Sequence, residues 1–158
     1  MRILVDTREQ DTKLSKSRYE SFGVPYRKEK LNAGDYSCEC DLPGGEVVSL
    51  KDQVVIERKY ALDELCMCFG KDRQRFKKEF ERAQTSGTRV YLLVENATWE
   101  HVLTGKYRSQ YNPIALTSSL LAWQVRYDMR IVFCKTETSG VMIKNILYRE
   151  LKERLQEV

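Results

Sequence analysis

The alternation of apolar and polar positions divides the chain into short strands and amphipathic helices. Arg2-Ile3-Leu4-Val5-Asp6 reads as an opening strand, and residues 12–22 as a helix stopped by Gly23, a residue that adopts the left-handed helix-ending conformation without penalty. Three short extended runs follow, Val24 to Leu31, Asp35 to Cys40 and Glu46 to Leu50, and they predict a meander with a Pro43-Gly44-Gly45 turn. Val54 to Lys59 is the predicted central strand. Residues 61–86 carry a helical pattern that breaks near Gly70 and ends at Gly87. Arg89 to Glu95 is an almost unbroken apolar run, as expected of a strand covered on both faces. A helix over 112–128, a strand from Arg130 to Cys134 and a last helix over 140–157 complete the order. Strands alternating with helices after a meander predict an α/β protein with a mixed central sheet flanked by helices. At 158 residues, with no repeat, linker or low-complexity segment, the chain is expected to form one domain over 1–158.

Composition narrows the partners. A net charge of +4, 32% charged residues and a pI near 8.8 give a mild basic excess that suits a phosphate backbone but not a histone-like tail. The opening Met1 to Asp6 is too short and too soon charged for a signal peptide, and no apolar run approaches membrane length. The expectation is a soluble, intracellular protein without a membrane partner. Five cysteines do not make a disulfide framework. Cys38-x-Cys40 and Cys66-x-Cys68 invite a zinc reading, but structural zinc favours roughly two to four residues between paired ligands. Buried reduced thiols acting as small apolar groups fit better. His101, the lone histidine, follows Trp99 and Glu100 on a short helix and reads as structural.

The chemistry concentrates at strand ends. In Val54 to Lys59, the two-residue period puts Glu57 and Lys59 on the same face as Val55. A carboxylate beside an ammonium at the end of an apolar strand is also a common ion pair of little worth. The wider grouping is more telling: Gly34-Asp35 opens one extended segment, and Asp6-Thr7-Arg8-Glu9 closes the first strand. Asp35 and Glu57 would form a hard oxygen site for magnesium or manganese, with Lys59 where negative charge grows on an attacked phosphodiester. Open α/β sheets place their sites at such strand ends.

Gly34-Asp35, then Glu57-Arg58-Lys59, then three residues and Asp63 resemble the signature of the XPF and Hef type of structure-specific DNA endonuclease. The Asp-x-Arg-Glu after its first strand is matched by Asp6-Thr7-Arg8-Glu9. Its Arg-hydrophobic-x-x-Gln element is similar to Arg75-Phe76-Lys77-Lys78-Glu79, with Glu79 where the family has an amide; an acceptor has replaced a donor there. The resemblance covers roughly residues 1–135. It implies a restriction-endonuclease-like core and Mg2+- or Mn2+-dependent hydrolysis of branched or duplex DNA in repair, recombination or replication. Asp35, Glu57 and Lys59 are then catalytic. Asp35 and Glu57 hold the metal, with Asp6 as a third carboxylate or an orienter of metal waters. Arg8, Glu9, Arg58 and Asp63 support them, with the Arg58 side chain pointing away and its carbonyl toward the metal. Asp63 also offsets the dipole of the helix it opens. The family often carries a tandem helix-hairpin-helix module; nothing up to Val158 resembles it, so a partner protein supplying the duplex grip enters the expectations. A catalytically idle DNA-binding scaffold of the same fold is the alternative reading.

Further contacts are read from charge and spacing. Lys71 to Arg82 holds six basic and three acidic residues around Phe76 and Phe80, a solvated helix face from which Arg73 and Arg75 reach phosphates. The loop Gly105 to Tyr111 offers Lys106, Tyr107 and Arg108 to a backbone and a base, or is a plain connector. Ile143, Ile146, Leu147, Leu151 and Leu155 form an apolar stripe, which Val158 would extend. It packs on the domain's own sheet or closes a homodimer about a twofold axis.

Overall fold

The computed structural model describes residues 1–156. Its strands and helices are β1 (Arg2–Val5), α1 (Lys13–Glu20), β2 (Tyr26–Lys28), β3 (Tyr36–Asp41), β4 (Val47–Ser49), β5 (Val54–Lys59), α2 (Leu62–Phe69), α3 (Arg73–Thr85), β6 (Arg89–Glu95), α4 (Trp99–Thr104), α5 (Pro113–Tyr127), β7 (Arg130–Cys134) and α6 (Ser139–Gln156). Local chemistry explains the boundaries. Thr12 and Ser15 exchange side-chain and backbone hydrogen bonds in a capping box that starts α1. Asn112 accepts from the Ile114 and Ala115 amides, with Pro113 at the first helical position of α5.

The seven strands form one mixed sheet in the order β2-β1-β3-β5-β6-β7, with β4 attached to β3. β3 runs antiparallel to its neighbours β1, β4 and β5, whereas β1–β2, β5–β6 and β6–β7 are parallel. The end of β1, the start of β3 and the end of β5 therefore meet at one edge. The expected meander is corrected here. The run from Val24 to Leu31 shortens to β2 and pairs with β1 rather than β3, because α1 carries the chain back to the start of the sheet and leaves the returning strand parallel.

Two cores cover the two faces. Val54 and Ile56 pack with Tyr36, Ile143 and Leu147 on the α1–α6 side, while Val55 packs with Leu65, Phe69, Phe76 and Trp123 under α2, α3 and α5. Trp123 is fully buried, with ring centroids 4.7 Å from Phe69, 5.3 Å from Phe76 and 5.2 Å from Phe80, so one indole ties three helices together. Cys38 and Cys40 belong to the first core and Cys66 to the second. The two cysteine pairs thus lie on opposite faces of the sheet and do not converge. No helix among the described residues is long and apolar enough to cross a membrane.

The C-terminal stripe faces inward. Ile143, Leu147 and Leu151 are buried against the sheet and Ile146 is half-buried beside them, leaving Leu155 exposed. Val158 lies outside the described residues. The expected dimer face is consumed by the protein's own core, since a helix lying on a sheet spends its apolar side there. The exposed apolar residues of α5 are Ile114, Leu121 and Val125 instead. Leu147→Ala should therefore lower unfolding stability by about 3 kcal/mol through a core cavity. Urea denaturation and sedimentation of the same sample check this: a change of oligomeric state without loss of stability would contradict the inward placement.

Candidate active site

Backbone hydrogen bonds lock the three strand ends together before any side chain acts. The Asp6 amide donates to the Asp35 carbonyl at 2.8 Å, and the Asp35 amide donates to the Ile56 carbonyl at 2.7 Å. Gly34 makes this approach possible. Its φ is +73°, and a Cβ there would lie 2.7 Å from Val55 Cβ, so any side chain would push Asp35 off β5.

Glu57 and Lys59 share a face of β5, as their spacing predicts. Lys59 Nζ donates to Glu57 Oε1 at 3.0 Å and lies 3.5 Å from Glu64 Oε1. It also sits 5.2 Å from the centre of the Phe76 ring. Burial opposes the Lys59 charge, but Glu57 and Glu64 outweigh it and hold the pKa above the usual lysine value. Asp35 receives the Arg58 amide on Oδ2 at 2.8 Å. Burial first, then the charges of Glu57 and Glu9, drive its carboxyl well above the usual range. Glu79, on α3, faces the same cleft and is raised by burial and by Glu57. The cleft has a volume of about 480 Å³ and gathers Asp35, Glu57, Glu79, Glu9, Arg8 and Arg58.

Asp6 is tied to the loop before Asp35. It is buried, and both its oxygens are engaged: Oδ1 accepts from the Leu31 amide at 2.9 Å, and Oδ2 from the Arg8 amide at 3.2 Å and Arg8 Nε at 2.6 Å. Arg8 then donates to the Leu31 carbonyl at 3.2 Å. The carboxylate clamps the loop before Asp35. Burial works against its charge, but the Arg8 and Leu31 hydrogen bonds prevail and hold its pKa low.

The supporting residues divide between the faces. Arg58 turns to the α1–α6 side and pairs with the buried Glu95 at the end of β6. Beside it, Arg18 donates to the Tyr36 hydroxyl at 3.1 Å and lies 4.0 Å from Glu9. Asp63 accepts the Ser109 amide at 2.7 Å, tying the 105–111 loop to the first turn of α2. Arg73 departs from expectation. It donates to the Phe69 carbonyl and Ser119 Oγ, each at 3.2 Å, and lies over Phe69 and Trp123, so it braces α3 rather than facing solvent. Arg75 is 75% exposed beside Asp72. Lys106 and Arg108 are exposed, but Tyr107 is half-buried and donates to the Tyr111 carbonyl at 2.6 Å. Its ring packs on the core. His101 is half-buried on α4.

Sequence spacing missed Glu64 and Glu95. Each reaches its partner only across a strand–helix junction or between parallel strand ends, where no fixed interval announces the contact.

The ERCC4 domain profile matches residues 5–146. The chain belongs to the ERCC4 domain family. Its fold is similar to that of XPF from Aeropyrum pernix, at 21% identity and a TM-score of 0.67 over 95% of this chain and 61% of that one. It is likewise similar to XPF from Aeropyrum pernix in complex with DNA, at 22% identity and a TM-score of 0.67 over 96% of this chain and 66% of that one. This chain thus spans about two thirds of the length of those structures. No curated protein matches it. The mixed seven-stranded sheet is the XPF nuclease-domain fold.

The clamp role of Asp6 has an acid signature. Asp6→Ala should lower stability at neutral pH by about 3 kcal/mol, since it strands the Leu31 amide and the Arg8 side chain. A carboxylate with a depressed folded pKa stabilises the fold above its unfolded pKa and stops doing so as pH falls through the folded value. The gap between wild type and variant should therefore close below about pH 4. Urea titrations at neutral and acid pH decide it, and a gap that persists in acid would contradict the ionic clamp.

Proposed function

We propose that the protein is a divalent-metal-dependent DNA endonuclease in which Asp35 and Glu57 hold the metal and Lys59 acts on the phosphate. The observation that carries this reading is the charge imbalance at the cleft floor. Asp35 and Glu57 line it close enough to repel each other, and the ammonium paired with Glu57, that of Lys59, is already shared with Glu64. A divalent cation beside Asp35 would offset the burial and the Glu57 charge that raise its carboxyl.

The donor set fits magnesium or manganese. These ions accept one or two carboxylates and complete their shells with water and phosphate oxygens. Among the described residues no three His, Cys, Asp or Glu side chains are grouped so as to hold a metal ion by themselves. When bound, such an ion supplies acidification of water and neutralisation of phosphate charge.

The chain's own residues do the rest. Glu57 and Glu64 hold Lys59 Nζ protonated and oriented, ready to donate to a phosphoryl oxygen as its charge grows. The Arg58 amide fixes one oxygen of Asp35, which lines the cleft. Asp6, Arg8 and the Arg58–Glu95 pair set the positions of β1, β3 and β5. DNA as substrate is supported by family membership and by the likeness to XPF in complex with DNA, and a branched form and a role in repair, recombination or replication extend that reading. A partner protein gripping the duplex belongs to the same proposal.

Two variants test it. Glu57→Gln keeps the shape but loses a ligand charge, so Mn2+ binding and cleavage of branched DNA should both fall. Lys59→Ala leaves both ligands, so the ion should still bind while cleavage slows about a hundredfold to a thousandfold. Metal-free DNA affinity should stay within a few-fold in both. If both folded variants cut at the wild-type rate in either metal, the assignment is wrong and the idle scaffold takes its place.

A further inference from the structure

A second groove opens from the carboxylate cleft and shares its Arg8, Asn32, Ala33 and Arg82 walls. It has a volume of about 770 Å³ and runs between the loop after β2 and the outer side of α3. Five cations line it, Arg8, Lys30, Lys51, Lys78 and Arg82, against one acid, Glu81. Some are neutralised. Arg8 pairs with Asp6 at 2.6 Å, Lys51 with Glu29 at 3.0 Å, and Glu81 leans to Lys77 at 3.6 Å. Lys30, Lys78 and Arg82 are exposed and have no carboxylate within ion-pair distance among the described residues.

The helix shows that this is not ordinary surface charge. Lys77 and Glu81 make the stabilising opposite pair four residues apart on α3. One position along, Lys78 and Arg82 repeat the interval with like charges, about 6 Å apart along the axis, an arrangement that weakens an isolated helix. Lys30 faces them from the loop that Asp6 clamps through the Leu31 amide. The carboxylate network thus holds both the Asp35 edge and one wall of the basic groove.

No aromatic side chain lines the groove, so it offers nothing for a base to stack on. Unpaired cations without stacking surfaces suit a sugar–phosphate backbone read without regard to sequence. We infer that this groove holds the backbone of the cut strand immediately beside the scissile phosphate, with Lys30, Lys78 and Arg82 on successive phosphates. The inference rests on the nuclease reading for which strand enters. The contact itself is tested without cleavage.

The test uses the whole chain in metal-free buffer, with fluorescein-labelled single-stranded and duplex oligodeoxynucleotides and anisotropy over a salt series. Each neutralised phosphate contributes roughly 0.7 to the log–log salt slope for a single strand and 0.9 for a duplex. Lys30→Ala/Lys78→Ala/Arg82→Ala should therefore flatten the slope by about two for a single strand, and weaken binding roughly a hundredfold at 0.1 M salt. A control, Lys16→Ala/Lys135→Ala/Lys152→Ala, removes equal charge from exposed positions outside both clefts and should change the slope little. Equal losses in both triples would mean net charge alone and would overturn the groove. An unchanged slope, or a wild type that binds neither oligonucleotide at low salt, would overturn it too. A wild type that binds through the groove but never cuts would refute the nuclease and leave the groove standing.

Discussion

The candidate site depends on two carboxylates held together against their mutual repulsion. Asp35 and Glu57 sit at the same sheet edge, and Lys59 is the ammonium nearest to them. Left in water they would separate. The fold prevents this with backbone hydrogen bonds from β1 to the Asp35 carbonyl and from the Asp35 amide to β5. The rest of the site either tolerates the excess charge, as the partnered Lys59 does, or keeps the strand ends from relaxing away.

That second task is distributed over both faces of the sheet. Asp6 works on the loop side, with both oxygens committed to Arg8 and Leu31. Arg58 and Glu95 tie the ends of β5 and β6 beneath the site, and Asp63 fastens the 105–111 loop through Ser109. Asp6, Arg8, Arg58, Glu95 and Asp63 thus hold the geometry of the cleft. The same framework sets the acid cleft beside a basic groove, an order that matches a substrate with one phosphate to be cut and neighbours to be held.

Much of this was legible in the sequence. The apolar runs gave β6 at Arg89–Glu95 and β7 at Arg130–Cys134 with their observed bounds, and Gly70 marked the break between α2 and α3. Period two put Glu57 and Lys59 together. The order of the sheet was not legible, because β2 pairs with β1 through contacts set by the α1 crossover and not by its own residues. Partner choice hid in the same way at Asp6, Arg73 and the α6 stripe. A spacing says which side chains share a face, but not whether a core, a guanidinium or solvent meets that face. The exposed row of Lys78 and Arg82 was visible as charge, but its opposition to Lys30 needed the fold.

Asp35 and Glu57, and not Asp6, are the proposed cation site. The direct measurement is calorimetric titration of Mn2+ into wild type, Asp35→Asn, Glu57→Gln and Asp6→Asn between about pH 5 and 8. The raised Asp35 carboxyl must lose its proton to bind the ion, so wild-type affinity should climb with pH across that range and binding should release protons. Asp35→Asn and Glu57→Gln should abolish the binding, while Asp6→Asn, once shown to be folded, should keep it. Mn2+ bound as tightly by Asp35→Asn as by wild type, with no dependence on pH, would contradict the account.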